Sequence, residues 1–71
     1  MAKSQKKWAL ASPVFTPGQQ VYAYQDNTPG KIIGRDGHYL GYWLVRIDDD
    51  AKEMAGRTAS IAWDNLATTP E

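Results

Sequence analysis

Cysteine is absent from this 71-residue chain, which excludes disulfide staples and thiolate metal sites and suits a reducing, cytoplasmic setting. Histidine is nearly absent as well, His38 being the only one, and there is no cysteine for it to activate. No apolar run approaches the roughly 20 residues of a membrane helix. The opening Lys residues followed by Trp8 to Ala11 fall short of a secretory leader, whose apolar region needs roughly 7 to 15 residues, because Ser12-Pro13 interrupts them. Neither a leader nor a membrane partner is expected.

Net charge is absent too, at a formal +0, but the balance hides an asymmetry. Up to Arg35 the chain carries Lys3, Lys6, Lys7, Lys31 and Arg35 against Asp26 alone, and the acidic excess lies beyond it, with Asp48-Asp49-Asp50 at its centre. A basic N-terminal arm is therefore expected over residues 1–14, ahead of one small domain over 15–69 and a tail at 70–71. A chain this short has a marginal core without staples, so tight turns or a partner surface must supply part of its stability.

What is present is a β pattern. Gly30 to Asp48 contains two apolar runs, Ile32-Ile33 and Tyr42 to Ile47, around a turn-rich stretch with Asp36-Gly37 and Gly41, which reads as an antiparallel hairpin. Pro17-Gly18 is a type II turn signal. Strands are predicted at Gln20 to Gln25, Lys31 to Arg35, Leu40 to Ile47, Arg57 to Ala62 and Ala67 to Thr69, with a 3₁₀ turn at Trp63-Asp64-Asn65-Leu66 before the last. Gly34 marks a bend, bulge or close approach in the second strand. On the third strand Trp43, Val45 and Ile47 are expected inward and Tyr42, Leu44 and Arg46 outward, since the opposite register would bury the Arg46 guanidinium. Residues 1–12 show little periodicity of either kind, and Pro13 with Pro17 disfavours a continuous element there. The predicted fold is all-β, a small five-stranded, partly open barrel, a closure that limits exposed edges.

The series Pro17-Gly18-Gln19-Gln20-Val21, Gly30-Lys31-Ile32, Tyr42-Trp43-Leu44-Val45-Arg46-Ile47, then Ile61 followed by Asn65-Leu66 resembles the SH3-like small barrels of the Tudor, KOW and bacterial SH3-like adaptor type. The resemblance implies binding of peptides, nucleic acids or subunits of larger complexes, without a cofactor. The type II dihydrofolate reductases also have an SH3-like chain, assembled as a tetramer, with a Val-Gln-Ile-Tyr segment serving cofactor and substrate. The corresponding strand here reads Ala59-Ser60-Ile61-Ala62 and shares only Ile61 with it, which ranks that activity third.

No catalytic constellation is expected. His38, in Asp36-Gly37-His38-Tyr39, reads as an exposed loop residue. Asp48, Asp49, Asp50 and Glu53 lack the alternation and central glycine of a calcium loop and read as a solvated acidic turn. Gly34-Arg35-Asp36-Gly37 is too short to cradle phosphate.

Two candidate surfaces remain. Alternation turns Tyr22 and Tyr24 to one face of the first strand, and Tyr42 and Leu44 outward on the third; tyrosine, with an apolar ring and a polar tip, suits a protein interface or self-association. The second surface is the arm: Lys3, Lys6 and Lys7 would contact phosphates while Trp8 stacks on a base. A non-catalytic protein-binding module is the leading expectation, and a nucleic-acid-binding barrel the alternative.

Overall fold

The computed structural model describes the backbone of residues 2–70 and the side chains of residues 6–70. Strands β1 (Gln20–Ala23), β2 (Thr28–Arg35), β3 (Tyr42–Ile47), β4 (Thr58–Ala62) and β5 (Leu66–Ala67) form one antiparallel sheet in the order β4-β3-β2-β1-β5. A three-residue 3₁₀ turn, Trp63–Asn65, joins β4 to β5. These two strands are consecutive in the chain yet occupy opposite edges of the sheet. Laid flat, those edges would stand about 19 Å apart at the usual strand spacing. The turn, rising about 2 Å per residue, covers less than half of that, so the sheet must curl. The result is the partly open five-stranded barrel that the sequence predicts.

The core follows strand alternation. Val21 and Ala23 of β1, Ile32 of β2, Trp43, Val45 and Ile47 of β3 and Ile61 of β4 are buried, and β3 reads exposed, buried, half-buried, buried, exposed, buried along its length. Trp43 is therefore inward and Arg46 outward, as burial of an unpaired guanidinium would forbid the reverse. Phe15, in the lead-in to β1, caps this core with its ring edge-on to Trp43 at 5.1 Å.

Strand ends differ from the sequence reading for local reasons. β1 stops at Ala23 because Tyr24 adopts φ 62° and Asn27 φ 56°; the intervening turn is fastened by Asp26, which accepts from the Thr28 hydroxyl at 2.7 Å and its N–H at 3.2 Å. β2 begins at Thr28 rather than Lys31, taking in Pro29-Gly30. Pro29 is tolerated there because Ile32 donates to the Gln19 carbonyl, which by ladder alternation leaves the Tyr22–Pro29 pair at a position needing no N–H from Pro29 toward β1. Gly30 lies so close to β3 that a Cβ would stand 2.7 Å from Val45 Cγ1 and 2.9 Å from the Arg46 carbonyl. The irregularity expected at Gly34 is a bulge: the β2–β3 register steps from Ile32↔Val45 to Gly34↔Leu44, skipping Ile33.

The main departure is at the N-terminus. Residues expected to form an arm without regular structure are an α-helix, α1 (Ala2–Leu10). Ala, Lys, Gln and Leu are strong helix formers, and Ser12-Pro13 ends the run. A helix of nine residues is marginal alone in water. It is held here by the barrel: Ala9 is buried, and each of the chain's three tryptophans donates its indole N–H to a bond linking the 8–12 segment to the rest. Trp8 reaches Asp64 Oδ2 at 3.0 Å, Trp43 reaches Ser12 Oγ at 3.0 Å, and Trp63 reaches the Trp8 carbonyl at 2.9 Å. No helix among the described residues is long and apolar enough to cross a membrane.

Candidate binding surface

The loop from β2 to β3 is pinned at both ends. The Asp36 N–H donates to the Tyr42 carbonyl at 3.0 Å, and the Tyr42 N–H to the Tyr39 carbonyl at 3.3 Å. Asp36 Oδ1 accepts the His38 N–H at 2.8 Å, while Oδ2 accepts the Ser60 hydroxyl at 2.5 Å. The Ser60 bond first, then the His38 N–H, hold the Asp36 carboxyl below its ordinary value of 3.8, because both stabilise the charged form. Gly41, at φ 84°, closes the turn, and a Cβ on it would run into the Trp8 ring.

This turn strands Tyr39 and Leu40 at its tip, 64% and 70% exposed. Beside them stand Leu10 and Val14 from the helix and its lead-out, and Tyr42 at the start of β3; these five are most of the eight large apolar side chains left exposed among the described residues. They line two adjoining clefts that share Tyr39, Leu40 and Tyr42 as a wall. The larger, of about 750 Å³, also has Lys6, Trp8, His38 and Ser60 on its lining. The smaller, of about 200 Å³, adds Leu10, Val14, Arg35 and Trp43. Aromatic rings support the wall edge-on, Tyr42 lying 6.0 Å from Tyr39 and 5.9 Å from Trp8. Arg35 sits over the Trp43 ring at 5.1 Å, a cation–π arrangement.

The four residues expected to form a tyrosine face are divided. Tyr42 is in the surface just described, and Leu44, half-buried, follows it on the same side of β3, opposite Gly34 and Ser60. Tyr22 lies opposite Pro29 and Ala67. Pro29 accepts the Asp48 N–H beyond the far end of β3, so Tyr22 and Tyr42 sit toward opposite ends of β3 with β2 between. Tyr24 falls outside β1 in the left-handed region, where the alternation that aligned it with Tyr22 no longer holds.

The arm residues are likewise rearranged. Lys6 and Lys7 are exposed on α1, whereas the Lys3 side chain lies outside the described residues. Trp8 is not free beside them: its ring lies against Gly41, between Tyr42 and Trp63 at 5.9 Å each, with its N–H taken by Asp64. The acidic turn is also engaged, Asp48 accepting from Gln20 and Lys31 at 3.2 Å each and Asp49 lying 3.7 Å from Arg46.

Sequence reading missed Leu10, Val14, Tyr39 and Leu40. A signal for the last two did exist, an apolar pair inside an otherwise polar turn, but taking Leu40 as the start of the strand absorbed it. No protein-family model, curated protein or solved structure matches the chain.

Proposed function

We propose that this chain is a non-catalytic binding module that takes a protein partner on the Tyr39–Leu40–Tyr42 surface. The observation that supports the reading is the gathering of five exposed apolar side chains on two adjoining clefts of a domain whose other apolar residues are largely buried; patches of this kind mark contact surfaces. Tyrosines braced by neighbouring rings bury large area at little entropic cost. Lys6 borders one cleft and Arg35 the other, while the nearby Asp36 carboxylate is already engaged by Ser60 and the His38 N–H. The matching partner is an extended segment with apolar side chains flanked by carboxylates. The exposed lysines of α1 add to that preference for acid, and with Trp8 committed inside the chain they are a weaker nucleic-acid element than the sequence implies.

The test is site-specific photo-crosslinking from position 40, with position 52, exposed in the loop between β3 and β4, as control, in extract with and without nuclease. A nuclease-resistant protein adduct from position 40, lost on Tyr42→Ser and absent from position 52, supports the reading. A nuclease-sensitive adduct assigns the surface to nucleic acid instead, and equal labelling from both positions removes the surface as a site. An anchor at the centre of such an interface contributes about 2 kcal/mol or more, roughly thirtyfold in affinity.

A further inference from the structure

Strand β4 is an edge, with β3 as its one paired neighbour in the sheet. The Ile47 N–H donates to the Arg57 carbonyl at 2.8 Å and the Trp63 N–H to the Gly41 carbonyl at 2.9 Å. In an antiparallel ladder the hydrogen-bonded residues alternate, so Ala59 and Ile61 also bond to β3 while the N–H and C=O groups of Thr58, Ser60 and Ala62 point to the outer edge. Natural edges are blunted with lysine, proline or inward charges. The span Thr58-Ala59-Ser60-Ile61-Ala62 has none of these, whereas the opposite edge, β5, is kept to 2 residues.

We infer that β4 is the pairing edge for a second copy of this chain, joined antiparallel about a two-fold axis at Ser60. That register is selected by the ladder. Only residues of the outward set can exchange bonds, and centring on Ser60 matches Thr58 with Ala62, Ser60 with Ser60 and Ala62 with Thr58, using the whole outward set; centring on Thr58 or Ala62 wastes part of it. The flanks agree in charge. Continuing the same register sets Arg57 of one copy opposite Trp63 of the other, one residue from Asp64. Arg57 makes no ion pair among the described residues, and Asp64, exposed, spends one oxygen, Oδ2, on the Trp8 N–H. Isologous pairing uses each such contact twice, and the two sheets become one continuous sheet across the axis. The edge adjoins the larger cleft at Ser60, but the Tyr39–Leu40–Tyr42 wall lies outside the outward set of β4, and dimerisation is read from the β4 backbone amides, separately from partner binding.

The experiment is amide hydrogen exchange by NMR on the full chain across a concentration series, beside light scattering. Amides of Ala59, Ile61 and Trp63 are expected to be protected at every concentration, and those of Thr58, Ser60 and Ala62 to gain protection, by at least tenfold, as dimer forms. A chain that stays monomeric to millimolar concentration overturns the inference, as does a dimer in which those three amides exchange freely. Ser60→Pro removes one outward N–H without touching a bond to β3 and is expected to be monomeric, while Ser60→Ala, keeping the N–H, still dimerises. A folded Ser60→Pro that still dimerises overturns the inference; if that variant does not fold, Arg57→Glu, expected to weaken the dimer about tenfold, decides together with the exchange pattern.

Discussion

Trp63 donates its indole N–H to the backbone carbonyl of Trp8 at 2.9 Å, which ties the barrel's closing turn to the last turn of the N-terminal helix. The same carbonyl accepts the Ala11 N–H at 3.1 Å, so the bond fastens a helix end that would otherwise fray. Trp63→Phe keeps a ring of similar place and deletes the donor. The expected loss is about 1 kcal/mol, a fall in Tm of about 4–8 °C for a domain of this size. Scanning calorimetry checks the Tm, and the α1 amide shifts should move toward coil values.

Gly41 and Trp8 are expected to be energetically coupled. Gly41→Ala places a methyl group where the Trp8 ring lies and forces alanine to φ 84°, the backbone part alone costing about 1–2 kcal/mol. In a Trp8→Ala background the steric part disappears. A double-mutant cycle by urea denaturation should therefore return a coupling of about 1 kcal/mol or more; strictly additive losses would mean that the helix does not dock on Gly41 in solution.

Trp43→Ala removes the largest buried ring, together with its contact to Phe15 and its bond to Ser12. A loss of about 3–5 kcal/mol is expected, a large share of what so small a domain possesses. Far-UV circular dichroism at 25 °C should show a largely unfolded chain, and a near-neutral melt would refute the inward register of β3.

Asp36 provides a prediction in pH. Its carboxyl is held low in the folded state, chiefly by the Ser60 hydroxyl. A depressed folded pKa contributes stability that is fully present above the unfolded value and is lost as pH falls through the folded one. Ser60→Ala should raise the Asp36 pKa toward 3.8, read by carbon-detected NMR titration. The variant's stability deficit should persist at neutral pH and shrink in strong acid, where Asp36 is protonated in both proteins.

Tyr39→Ser and Leu40→Ser should leave the melt within about 0.5 kcal/mol of the parent, as expected for exposed positions. Tyr42→Ser should cost more, because Tyr42 also packs against Trp8. If Tyr39→Ser or Leu40→Ser unfolds the chain, the loop tip belongs to the core and the surface proposed for the partner is lost.

The barrel was legible in the sequence because its signals are local. Alternation along Tyr42–Ile47 and Thr58–Ala62, the glycine before Ile32, and the turn at Trp63-Asp64-Asn65 each bias a few adjacent residues, and an inward Trp43 follows from refusing to bury Arg46. The site was less legible. Its parts come from Leu10, Val14, Tyr39 and Tyr42, and only three-dimensional packing assembles them. Tyrosine alternation on two strands says nothing about which ends of those strands lie together, and register with β2 decided that Tyr22 and Tyr42 do not. The helix escaped detection for a related reason. Its composition favours helix, but at nine residues it draws its order from Trp8 and Ser12 contacting Asp64, Gly41, Trp63 and Trp43, partners 31 to 56 positions away. A local pattern can state a preference for helix; only a surface made by the folded barrel can make a segment that short persist.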